Sequence, residues 1–91
     1  MEKPWQLYIL RCGDGTLYTG IAVDAARRLR MHRSGRGAKY TRGRGPLEIV
    51  YVEQCENHGA ALRRELEVKK LSRAEKEGLI ASRQTERLEE R

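Results

Sequence analysis

The sequence predicts an α/β (α+β) domain of three strands and three helices in the order ββαβαα. Three observations lead there. Two alternating apolar runs flank Gly13-Asp14-Gly15, where an Asp-Gly pair signals a hairpin. Leu47 to Val52 is rich in β-branched residues and reads as a third strand. Helix-starting residues at Asp24, Asn57 and Ser72 each precede apolar positions at helical spacing.

The elements follow in order. In Trp5 to Cys12, Trp5, Leu7 and Ile9 alternate with Gln6, Tyr8 and Leu10. Leu17 to Ile21 returns after the turn, with Leu17, Thr19 and Ile21 on one side of the pleat and Tyr18 and Gly20 on the other. Asp24 caps a helix running to about Ser34, which Gly35 stops; Ala25, Ala26 and Leu29 form a thin apolar stripe. Arg28 and His32, four residues apart, project on one side of it. A loop of glycine and basic residues spans Gly35 to Pro46. Asn57 or His58 opens a helix through about Leu71, with Ala61, Leu62, Leu66 and Val68 as its expected buried face. Ser72-Arg73-Ala74-Glu75 matches a capping box and begins a helix ending near Ala81. At 91 residues this is one domain, 1–82, with 83–91 as a polar tail, a frayed helical end or a disordered terminus.

Composition narrows the function classes. Hydrophobic residues make up 38% and charged residues 35%, too apolar for a disordered chain and too polar for a membrane protein. No apolar run approaches the roughly 18 residues of a membrane span, and no signal-peptide core opens the chain. The expectation is a soluble, cytoplasmic protein with Cys12 and Cys55 as reduced thiols. The net charge is +6, and it is unevenly spread. No acidic residue lies between Asp24 and Glu48, a stretch holding Arg27, Arg28, Arg30, Arg33, Arg36, Lys39, Arg42 and Arg44. A single-sign segment in an otherwise balanced chain suits a polyanion, nucleic acid before anionic lipid.

Several residues are candidates for chemistry. Tyr8 and Tyr18 can meet across a hairpin, either as packed aromatics or as phenols that position a water. A tyrosine needs a nearby cation to act as a base at neutral pH, and Arg28 could supply it. Glu65 lies on or beside the apolar stripe of its helix, where a carboxylate calls for a partner. That partner is a metal or a cation such as Arg63, Arg64 or Lys69. Gly20 within a strand marks a close backbone approach or a bulge. Cys12, His32, Cys55 and His58 have zinc-binding chemistry but scattered spacing, which argues against a structural site.

Together these residues resemble the GIY-YIG nuclease superfamily. Leu7-Tyr8-Ile9 and Tyr18-Thr19-Gly20 are similar to its two naming motifs. Asp24 to His32 resembles its first helix, and Ala61-Leu-Arg-Arg-Glu65 its later one. Gly37 to Arg44 and Lys69-Lys70-Leu71-Ser72 resemble a small stand-alone branch. The first motif lacks the family's glycine and isoleucine, and Thr19 stands where isoleucine or valine is usual.

The resemblance implies a three-stranded, mainly antiparallel sheet flanked by helices. It also implies a metal-dependent endonuclease acting on DNA rather than RNA, linked to repair or recombination. Tyr18 would orient or deprotonate the attacking water, with Tyr8 sharing that task or binding the scissile phosphate. Arg28 would stabilise phosphate charge, His32 assist proton transfer or contact a phosphate, and Glu65 hold one divalent metal, Mg²⁺ or Mn²⁺. Arg27, Lys39, Thr41, Arg42 and Arg44 would contact the nucleic-acid backbone. The chain is expected as a monomer, its targeting set by DNA structure or a protein partner. A non-cleaving nucleic-acid-binding module and a partner-recruited accessory subunit are the rival readings.

Overall fold

A computed structural model describes residues 3–37 and 39–89 of the chain. Three strands, β1 (Trp5–Arg11), β2 (Leu17–Ala22) and β3 (Glu48–Cys55), form one antiparallel sheet in the order β2-β1-β3. Three helices, α1 (Ala25–Arg33), α2 (His58–Lys69) and α3 (Arg73–Glu89), complete the expected ββαβαα order.

β1 is central, and with α1 over one face of the sheet and α2 and α3 over the other, Leu7, Tyr8, Ile9 and Leu10 are all at most 1% exposed. The alternation read from sequence divides them correctly. Leu7 and Ile9 join Tyr51, Val68 and Ile80 under α2 and α3. Tyr8 and Leu10 join Ala22 and Ala25 under α1. A register shift sets Ile9 opposite Tyr51 but Leu10 opposite Ile49, which leaves Val50 as the extra residue of a bulge. Val50 and Tyr51 consequently both pack toward α2 and α3, while Ile49 and Val52 pack toward α1.

The helix ends follow the sequence signals. Asp24 accepts from the Arg27 amide and Asn57 from the Ala60 amide, each satisfying a free first-turn donor. Gly35, at φ 81°, ends α1 where a side chain would be strained. The capping box closes both ways: Ser72 N donates to Glu75 and Glu75 N to Ser72 Oγ. Gln6 Oε1 accepts from the Ala25 amide at 2.7 Å and fastens the start of α1 to β1.

The structure departs from expectation in four places. β3 continues to Cys55 because its far end still pairs with Trp5 of the long central strand. Leu62 and Leu66 are 42% and 61% exposed, since α2 turns its Ala61–Glu65–Val68 side to the sheet. Ala26 is likewise exposed, and buried His32 extends the inner side of α1 instead. The helical backbone of α3 passes Ala81 and runs to Glu89, and the last two residues of the expected tail lie outside the described residues. Within the basic loop, Lys39–Thr41 forms a short 3₁₀ turn. No described helix is long and apolar enough to cross a membrane.

Candidate active site

The α1 side of the sheet gathers two tyrosines and a histidine. Tyr8 faces Gly20 across the β1–β2 ladder and Leu10 faces Tyr18, so the two phenols are diagonal neighbours. Their ring centroids are 6.4 Å apart. α1 sets His32 over both, 6.1 Å from Tyr8 and 5.4 Å from Tyr18. Tyr8 Oη and His32 Nε2 lie 2.9 Å apart in a buried hydrogen bond. The other ring nitrogen, Nδ1, is 3.2 Å from Thr41 Oγ1.

Two glycines make this packing possible. A Cβ on Gly20 would lie 2.6 Å from Tyr8 Oη. One on Gly37 would lie 2.2 Å from His32 Nδ1, so the basic loop can close behind the imidazole only without a side chain there. The loop is itself held to the hairpin tip: Gly13 N donates to the Arg44 carbonyl, and Arg44 pairs with Asp14 at 2.6 Å.

Burial sets the charge states. It pushes the Tyr8 hydroxyl up to about 12, with Tyr18 and Glu65 adding and the Arg28 guanidinium opposing. Tyr8 is therefore a neutral phenol at neutral pH rather than a resident base. His32 is lowered, first by burial and then by Arg28, so its ring is neutral as well. A neutral imidazole has one donor and one acceptor nitrogen. Tyr8 and Thr41 thus take opposite hydrogen-bonding roles toward it.

This has a consequence for stability. Below the ordinary histidine value of 6.5 the unfolded chain takes up a proton at His32 that the folded chain resists. The unfolded state then binds more protons, so stability falls as pH drops. Thermal melts between about pH 7.5 and about pH 5.5 are expected to show this fall, and His32→Gln to flatten it. Equal slopes in the two proteins would assign the effect to other groups.

Arg28 is exposed, with Nη1 3.9 Å from Met31 Sδ. It lines a groove of about 390 Å³ with Trp5, Val23, Arg27 and Met31. Glu65 approaches from the other side of the sheet, on the α2 face that packs over β2. Its side chain is only 18% exposed, and Lys69 Nζ sits 3.3 Å from Oε2. Of the five expected site residues, Tyr8, Tyr18 and His32 are in direct contact, while Arg28 and Glu65 influence the Tyr8 hydroxyl electrostatically.

The expected backbone contacts divide. Arg27, Lys39 and Arg42 are exposed on the surface. Arg44 is occupied with Asp14. Thr41 is 2% exposed and turned inward to His32 instead of outward to a phosphate. No feature of the sequence separates Thr41 from the polar residues around it, and Gly37 is equally unmarked among the loop's glycines. Cys12 and Cys55 are free thiols near opposite ends of β1. His58 stacks on Trp5 with centroids 4.2 Å apart.

Among the described residues no three His, Cys, Asp or Glu side chains gather to hold a metal. Among the described residues the carboxylate expected to hold a metal is Glu65, while Asp24, which lines the Arg28 groove, caps α1. A single hard oxygen donor fits Mg²⁺, which keeps several waters and takes further oxygens from a substrate phosphate. It does not fit a closed zinc site.

Comparison with known proteins places the chain in a family. The GIY-YIG catalytic domain matches residues 4–78. A UPF0213 protein of Natronomonas pharaonis is 52% identical over 81 residues, covering 89% of this chain and 95% of its own. The solution structure of the UPF0213 protein BH0048 from Bacillus halodurans is 49% identical with a TM-score of 0.56, covering 86% of this chain and 83% of that one. The solution structure of the protein EF2693 from E. faecalis is 35% identical with a TM-score of 0.60, covering 91% and 92%. With its fold and nearly its whole length matched, the chain belongs to the GIY-YIG nuclease family, among the small single-domain UPF0213 proteins.

Proposed function

We propose that the protein is an endonuclease that hydrolyses phosphodiester bonds in DNA with Mg²⁺ or Mn²⁺, on branched structures of the kind met in repair or recombination. One observation carries this reading: a buried Tyr8–His32 hydrogen bond packs against the half-buried Tyr18, and both Arg28 and Glu65 act electrostatically on the Tyr8 hydroxyl.

In this mechanism Tyr18 orients the attacking water at the surface. The proton the water loses enters at Tyr8 Oη as the Tyr8 proton moves to His32 Nε2. This requires the tautomer in which Nε2 accepts and Nδ1–H donates to Thr41. Arg28 stabilises charge developing on the phosphate, commonly the largest catalytic contribution. Arg27, Lys39 and Arg42 hold neighbouring phosphates. Glu65 would hold the divalent ion, which when bound supplies Lewis-acid stabilisation of phosphate oxygens.

The test is a panel of single-stranded, duplex, flap and junction DNAs incubated with Mg²⁺, Mn²⁺ or chelator. Product is expected with metal and none with chelator. Binding that falls steeply with salt, without product under any metal, would instead establish a non-cleaving binding module.

A further inference from the structure

On the α2–α3 side of the β2 edge, Leu17, Tyr18, Thr19, Lys69 and Lys76 line a groove of about 290 Å³. Three features of it are unexplained by packing. The Thr19 hydroxyl is buried with no hydrogen-bond partner among the described residues, and Thr19 as a whole is 5% exposed. Buried polar groups are almost always paired, so an orphan beside a groove points to a ligand. Among the described residues no carboxylate pairs with Lys76. The neighbouring acids of α3 are engaged elsewhere: Glu75 in the helix cap, and Glu77 with Arg11 and Arg73. Lys69 does pair with Glu65, but its side chain is 53% exposed, and such pairs hold weakly.

We propose that Thr19, Lys69 and Lys76 form a second phosphate subsite for the nucleic-acid strand, distinct from the Arg27–Arg28 groove on the α1 side. The inference rests on the nuclease reading and specifies how its substrate lies. Tyr18 belongs to this groove and also to the tyrosine–histidine cluster. A strand crossing the exposed edge at β2 therefore has cations on both sides of the reacting position. The lysines supply salt-sensitive attraction to the phosphate, and the Thr19 hydroxyl donates a hydrogen bond that it otherwise lacks.

The experiment is equilibrium binding of a fluorescein-labelled flap DNA to the full chain in chelator, across a salt series. Lys69→Gln/Lys76→Gln is expected to weaken binding and to make the log-affinity against log-salt slope shallower by roughly one per lysine. Thr19→Val is expected to raise Tm by removing a buried orphan hydroxyl, yet to weaken binding at unchanged slope. Lys70→Gln, an exposed neighbour outside the groove, serves as the control for general charge loss. A double variant whose slope change is no larger than that of Lys70→Gln overturns the subsite. Unchanged affinity in Thr19→Val overturns the part assigned to its hydroxyl. If the native chain shows no salt-dependent binding at all, the nuclease reading fails and the subsite falls with it.

Discussion

Arg28→Ala is expected to lower the rate of DNA cleavage by about two to three orders of magnitude, the loss typical when one preorganised charge-stabilising donor is removed. The fold should survive. Arg28 is exposed, and its Nη1 lies 3.9 Å from Met31 Sδ. Surface substitutions of this kind usually shift stability by no more than about 0.5 kcal/mol. Two side effects follow from its charge. Without the guanidinium His32 rises toward its ordinary value and Tyr8 rises further, since Arg28 lowers both. Glu65→Ala should be comparably inactive through the loss of its carboxylate. Single-turnover cleavage, thermal melts and an NMR titration of His32 check these expectations together. Undiminished cleavage by both variants would sink the site assignment.

Gly20→Ala should damage both stability and site. The new methyl would lie 2.6 Å from Tyr8 Oη, 2.8 Å from Cζ and 3.1 Å from Tyr18 Cε2. Tyr8 is 1% exposed and bonded to His32, so its ring cannot yield without breaking that bond. Overpacking a core costs about 1–3 kcal/mol. Alanine recovers roughly 0.5–1 kcal/mol over glycine within a strand, so the net effect is a loss. In a domain of this size each kcal/mol lowers Tm by roughly 4–8 °C. Calorimetry is the direct measurement, with the His32 ring signals as the local one. A variant with native Tm and native His32 signals would show that Gly20 serves no such purpose.

Much of this organisation is legible in the residues, for identifiable reasons. Strand faces are readable because period-two alternation depends on the pleat alone, and Tyr8 and Tyr18 separate correctly from Leu7 and Leu17. Caps at Asp24, Asn57 and Ser72 are readable because each bond spans only three residues. Glu65 stands out because it occupies an apolar helical position between Ala61 and Val68. Leu62 and Leu66 mislead because they sit one residue beyond that row. Choosing between the two rows requires knowing which side of α2 meets the sheet.

The tyrosine, arginine and glutamate positions were thus determined by the sequence itself, through local periodicity and the family resemblance. Tertiary structure alone decided their surroundings. Only folding buries Tyr8 deeply enough to raise its hydroxyl to about 12. Only the closure of the basic loop, pinned by Arg44 to Asp14, turns Thr41 from a surface hydroxyl into the partner of His32. Likewise Thr19, Lys69 and Lys76 lie on three different elements and share a groove only after α2 and α3 dock. Desolvation and long-range proximity are properties of the packed chain, and no local pattern of residues encodes them.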